Sequence, residues 1–398
     1  METIDIKKLS YEEKIDLASN NETSAELLSA LAQDEHPDIR LTVASNTNTP
    51  ANVLATLAKD QNRDVRLEVA YNTSTPSEVL ATLAGDEYYS VRLEVAGNKN
   101  SPIEALEVLA SDKESDIRKA VAENPNTPRS TLVMLAKDVN IDVRCTVAEN
   151  KNTPVELLAV LAKDINLGVR ASVARNNNTP VEILVMLASD KEWWVRQTVA
   201  KNENTPKESL AILAKGNVYE VRKAVATNGN TSAEVLAVLA QDKHWFVRQA
   251  VALNENTSVD KLAMLAKGDV YEVRTAVAAN RNTSADTLDI LAKDEFYGVR
   301  CAVAENKNTP AKVLAKLAND ENECVREVVA WNENTPDKLL SVLAKDKDCY
   351  VRKAVVENKN TSVETLVMLT KDNNELVSER AEKALKERKE KCKASMER

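Results

Sequence analysis

The sequence predicts an all-α fold: a tandem-repeat solenoid of fourteen two-helix units, each 26 residues long, with a cap at either end. Two observations carry the prediction. Thr or Ser recurs every 26 residues from Thr23 and Thr49 through Ser101 to Thr361, without insertion or deletion. The composition is rich in Ala, Val, Leu, Lys, Glu and Asn, with only 7 Gly in 398 residues, a helix-forming mixture with few residues suited to tight hairpins. Self-similarity at such a period is the mark of stacked repeats.

The unit from Thr153 to Asn178 (TPVELLAVLAKDINLGVRASVARNNN) shows each element in turn. Position 1 is Thr and position 2 Pro or Ser, with Glu usual at position 4. That reads as a helix start, with Thr as cap, Pro in the first turn and Glu closing a capping box. Leu stands at positions 6 and 9 of every copy, here Leu158 and Leu161, giving one apolar stripe on a short first helix. Asp at position 12, here Asp164, is a reasonable cap for the second helix. That helix carries Val169, Arg170, Val173 and Ala174, with valines four apart on one face. Asn at position 24 ends it in thirteen copies, from Asn46 to Asn358, a residue tolerant of the left-handed conformation common at helix C-termini. One such unit buries too few side chains to offset its ordering entropy, so neighbours must complete its core.

The ends differ from the repeat. Residues 1–22 are expected to form an N-terminal cap, a second helix without its first, opening at a Ser10/Glu13 capping box. Residues 23–386 hold the repeats. In the last copy Ser378 replaces Arg, Thr370 replaces Ala and Ala384 replaces Asn, and residues 387–398 read as a charged, frayed tail.

A formal charge of −9 disfavours nucleic acid, whose binders need a clustered cationic face. No apolar run approaches the roughly 20 residues of a membrane span, and Met1 to Ser10 lacks a signal-peptide core. Five irregularly spaced cysteines do not make a disulfide framework, so a cytoplasmic, reducing setting and free thiols are expected. Cys324 and Cys349 occupy similar positions in adjacent copies, but helices ~8–10 Å apart hold their Cα atoms beyond disulfide reach.

The consensus N-T-P-x-E-x-L-x-x-L-A-x-D-x-x-x-x-V-R-x-x-V-A-x-N resembles the leucine-rich repeat variant family and, more distantly, HEAT-like repeats. The resemblance implies a right-handed superhelix of paired short helices, one of them partly 3₁₀, with second helices lining the concave side. A family member carries an N-terminal cysteine cluster holding an iron–sulfur centre. This chain has no cysteine before Cys145, so that cofactor is not carried over and none is expected.

Function is sought where the copies differ: positions 14–16, 19, 20 and 23, which fall on one stripe of the second helix away from its valines. The chain has fourteen aromatic residues. Eleven occupy positions 14–16: Tyr88, Tyr89, Trp193, Trp194, Tyr219, Trp245, Phe246, Tyr271, Phe296, Tyr297 and Tyr350. Tyr71 and Trp331 sit at position 23, and Tyr11 lies outside the repeats. The repeated core has no aromatic position, and Trp and Tyr are the usual anchors of interfaces. Copies seven to eleven hold eight of these rings, enough for a nearly continuous patch. Local packing across the inter-helix turn is the competing account of any one ring.

Acidic residues outnumber basic ones along the stripe, among them Asp38, Asp116, Glu220 and Glu272 against Lys119, Lys223 and Arg175. The expected function is therefore a monomeric, non-catalytic scaffold binding a protein or peptide with apolar and basic anchors. A spacer or self-assembling solenoid is the alternative, with nucleic-acid binding behind it. Arg at position 18 is expected to bond the position-12 aspartates or loop carbonyls rather than phosphate. His36 and His244 are eight repeats apart and cannot share a metal, and no P-loop, dinucleotide fingerprint, nucleophile elbow or HExxH is present.

Overall fold

The computed structural model describes residues 6–396, so residues 1–5 of the expected N-terminal cap and 397–398 of the expected tail lie outside the described residues. Among the described residues there are 29 α-helices, one 3₁₀ turn at Ile6–Lys8 and no strand. The chain divides into two compact units, Met1–Asn204 and Thr205–Arg398, each a solenoid of alternating short helices. Within each, first helices of seven residues such as Ala51–Leu57 and Ala233–Leu239 alternate with second helices of nine such as Arg63–Tyr71 and Trp245–Leu253. Within each unit, second helices pack on second helices of adjacent repeats.

The core is the repeated Leu, Val and Ala set. Leu54, Leu80, Val65, Val69 and Ala70 in the N-terminal unit, and Leu236, Leu262, Val247, Val251 and Ala252 in the C-terminal unit, are all fully buried. Position 20, expected to be open, is instead buried over much of the chain, as Thr146, Ser172, Ala250 and Ala276. Two second helices approach there, which is why small residues fill it.

Thr at position 1 is not the helix cap. The cap falls one residue later, on Pro50 or Pro76, or on Ser24 or Ser232, whose hydroxyls accept from Leu27 and Val235 N–H. The Thr hydroxyl is buried and donates backwards: Thr49 to the Val43 carbonyl and Thr75 to Val69, both at 2.6 Å. It satisfies a carbonyl in the last turn of the preceding second helix, one that lacks an i→i+4 amide donor. First helices are α-helical, tightening at the end to i→i−3 bonds such as Asp60 N–H to Leu57 at 3.0 Å.

Asn at position 24 does not turn left-handed. Asn72 has φ −63 and ψ 123, and no described residue has positive φ. Its selection has another cause. The Asn72 amide donates to the Ala44 carbonyl at 2.7 Å and to the Asn46 carbonyl at 3.0 Å, while its oxygen accepts from Ser74 N–H at 2.8 Å. Only a primary amide offers two donors and an acceptor at that reach. Within each compact unit such an Asn thus ties its repeat to the one before.

Asp at position 12 precedes the cap of the second helix by two residues. Asp86 accepts from Tyr88 N–H at 2.9 Å and takes Arg66 from the preceding repeat in a two-pronged pair, Nε at 2.6 Å and Nη2 at 3.0 Å. Arg66 also donates to the Asp60 carbonyl at 2.8 Å. The expected ladder of Arg on aspartate and loop carbonyl is present, and it runs between repeats.

Both ends reuse the ladder. Ser10 and Glu13 form the capping box, and Lys14 reaches Asp34 at 2.7 Å in the place of Arg. At the C-terminus one helix, Glu375–Met396, runs unbroken through the expected boundary at residue 386. Arg388 on it donates to the carbonyls of Thr361, Asn358 and Lys359, the Asn358 bond at 3.1 Å. It supplies the rung that Asn would have made at Ala384.

Candidate functional site

The aromatic residues sit where each second helix begins. Val at positions 17 and 21 anchors that helix in the core, which turns the residues at 15 and 16 outward. None of the candidate rings is buried. Tyr88, Tyr89, Trp193, Trp194, Tyr271, Tyr297, Trp331 and Tyr350 are exposed, and Tyr219, Trp245, Phe246 and Phe296 are half-buried.

A single geometric rule organises them: the residue at position 14 packs on the residue at position 15 of the preceding copy. His244 stacks on Tyr219 with centroids 3.8 Å apart and planes 1° from parallel. Phe296 lies 4.2 Å from Tyr271, and Tyr88 sits 5.5 Å from the Arg63 guanidinium. Tyr11 and His36 make the same contact at 5.5 Å. Tyr11 therefore occupies position 15 of the capping half-repeat, not a place outside the pattern. Tyr11 and Tyr89 also donate to the aspartate 27 residues ahead, Asp38 at 3.2 Å and Asp116 at 3.3 Å.

In the N-terminal unit the rings are dispersed. Trp193 and Trp194 pack edge to face at 5.7 Å, while Tyr88 has Arg63 and Arg66 over its ring. In the C-terminal unit they form two stacks. The first joins Tyr219, His244, Phe246 and Trp245, with Phe246 and Trp245 3.7 Å apart and Lys223 Nζ 5.0 Å from the Phe246 ring. The second joins Tyr271, Phe296 and Tyr297, the last pair 5.3 Å apart. Beside it lies an open hollow of about 290 Å³ lined by Leu253, Tyr271, Glu272, Ala279, Phe296 and Gly298. A Cβ on Gly298 would stand 2.6 Å from the Phe296 ring, so the missing side chain is what lets that ring fold over.

Trp331 and Tyr350 take part in neither stack; Trp331 is at the far end of its helix, Glu323–Trp331. The charge beside the rings is negative. Glu220 pushes the Tyr219 phenol above its ordinary value through its charge, and Glu272 does the same to Tyr271 chiefly through a hydrogen bond.

Two features escaped the sequence reading. Both histidines occupy position 14, where an imidazole serves as a flat stacking surface; their recurrence at one position was the available signal. The other is position 8 of the first helix, a Val, Ile or Met in ten of fourteen copies. Val108, Met134, Val160 and Met186 in the N-terminal unit, and Ile212, Val238, Met264 and Ile290 in the C-terminal unit, are 37–67% exposed there. Next to the core leucine at position 9, they pass for part of its stripe.

Among the described residues no group of His, Cys, Asp and Glu has the arrangement to hold a metal ion, and no helix is long and apolar enough to cross a membrane. The leucine-rich repeat variant family profile matches residues 63–87, 167–192 and 297–322. A solved leucine-rich repeat variant described as a novel repetitive protein structural motif is 29% identical, with TM-score 0.44, over 56% of this chain and 87% of that one. Kap121p bound to Nup53p is 13% identical, with TM-score 0.43, over 94% of this chain and 52% of that one. Yeast importin-β (Kap95p) is 11% identical, with TM-score 0.40, over 94% of this chain and 61% of that one. This chain thus spans about half to three-fifths of those two proteins. No curated protein matches the sequence.

Proposed function

We propose that this chain, built of leucine-rich repeat variant units, is a non-catalytic scaffold that binds a protein or peptide segment along the start of its second helices. One observation carries the reading: rings that the core does not need lie exposed or half-buried at the surface, and in the C-terminal unit they stack into two ready platforms. Stacking fixes the rings before a partner arrives, which lowers the ordering cost of binding. Glu220 and Glu272 beside the platforms favour a segment carrying Lys or Arg among apolar residues, with cations seated over ring faces.

Selection of displayed random peptides on the intact chain tests this. The expected outcome is enrichment of basic–apolar sequences. Tyr219→Ala and Trp245→Ala should each weaken their binding by about 2 kcal/mol or more, roughly 30-fold, while the helical spectrum and Tm stay unchanged. Selected peptides of any other character, undiminished binding by the variants, or a large loss of Tm would defeat the reading.

A second reading, self-association, is favoured by the exposed position-8 row on the first helices. Sedimentation over a range of concentrations distinguishes it. Growth in mass that Met134→Glu and Val160→Glu abolish would support it, and a concentration-independent monomer would remove it.

A further inference from the structure

We propose that Cys301 and Cys324, on neighbouring second helices of the C-terminal unit, form an oxidisable dithiol that closes to a disulfide between two repeats. The repeat itself supplies the geometry. Cys301 holds position 19 of its copy and Cys324 position 16 of the next. Copies five and six carry Cys145 and Gly168 at those same two positions. A Cβ built on Gly168 stands 3.6 Å from Cys145 Sγ. Since that sulfur is one bond from its own Cβ, two cysteines at these positions come within reach of the ~3.5–4.5 Å Cβ separation of a disulfide. The register has no insertion between the copies, so Cys301 and Cys324 inherit the relation.

The two thiols also lie close enough for the charge of one to act on the other. Burial pushes the Cys301 thiol up to about 11, and Cys324 is the next largest contributor to that rise. Cys349, at position 15 of the following copy, does not share the relation, so the pair differs from the one that spacing alone would suggest. All three are free thiols here.

Exposure sets the order of events. Cys324 is exposed and Cys301 half-buried. The Cys324 thiolate attacks one sulfur of a small-molecule disulfide such as oxidised glutathione, forms a mixed disulfide and releases one glutathione thiolate. Cys301 then gives its proton to solvent, attacks Cys324 Sγ and releases the second glutathione. Two protein thiols lose two electrons, and the reagent's disulfide gains them as two thiols. The raised Cys301 thiol slows this second step. The clip closes one helical turn from Tyr297 and fixes two repeats beside the second ring stack.

The test is incubation of the intact chain with oxidised glutathione, followed by non-reducing peptide mapping. A linked peptide joining Cys301 to Cys324, absent from Cys324→Ser, is expected. Cys301→Ser should trap glutathione on Cys324. Gly168→Cys, which places a second such pair with Cys145 in the N-terminal unit, should yield a second linked peptide under the same treatment. The proposal fails if wild-type chain yields no 301–324 link, or if Cys324 links to Cys349 or to another chain instead. Failure of Gly168→Cys to pair while folded would remove the geometric basis.

Discussion

At the scale of single residues, the repeated polar positions are joints between units. Asn72 shows how. Replacing it with Ala leaves the buried Ala44 carbonyl without its donor and Ser74 N–H without its acceptor, while the Asn46 carbonyl keeps only its bond from Thr49 N–H. Each buried orphan costs about 1–3 kcal/mol. Asn72→Ala should therefore open its two repeats locally, seen as faster hydrogen exchange across residues 44–75, with distant repeats unchanged. Unaltered exchange there would show that the rung contributes little. Thr75→Val removes only one bond, the donation to Val69 at 2.6 Å, and should cost about 1 kcal/mol.

Among elements, the second helices are held side by side by the Arg–Asp pairs. Both partners of Arg66–Asp86 are nearly buried, with side chains 10% and 6% exposed. Removing one charge strands the other, so Asp86→Ala should destabilise by roughly 3–5 kcal/mol, read as a fall in the denaturant midpoint. Arg66→Lys keeps the charge but loses the fork and should also destabilise. The chain contains its own exception. Gly268 replaces the aspartate that Arg248 would meet, and Arg248 turns instead to Asp269 at 3.4 Å, a carboxylate 87% exposed. Such an exposed pair contributes little. Limited proteolysis of the C-terminal unit should accordingly cut near Asp269 before the turn at Asp294, where Arg274 makes both bonds.

For the whole molecule, the repeated carboxylates act together when pH falls. Burial alone would raise Asp86, Asp138 and Asp320, but Arg66, Arg118 and Arg300 with backbone N–H groups hold them below the ordinary 3.8. A depressed folded value means stability that is present above the unfolded carboxyl value and lost as pH drops through the folded one. Helical content should stay level from neutrality to about pH 5 and then fall as several rungs protonate. Sodium chloride should shift the neutral Tm only slightly, because pairs this buried are weakly screened. A helical signal unchanged well below the ordinary carboxylate range would contradict the ladder's role.

The residue order alone specifies the helical class, the repeat register, the apolar core and the uneven placement of rings. All four are written in local periodicity, and stacking identical units adds no long-range surprise. It also pointed to the partners of the position-18 arginines. What the polar positions are for emerges from the packing of one repeat on the next. Thr, Asp and Asn have familiar uses within one helix, and those uses are what a linear reading assigns. Here their partners lie across a turn or in the adjacent repeat, Ala44 for Asn72 and Asp86 for Arg66. Contacts between residues 20 to 28 positions apart in adjacent repeats are likewise what stacked His244 on Tyr219 and turned position 20 inward. Such contacts depend on how closely the second helices approach, a distance that no residue pattern states.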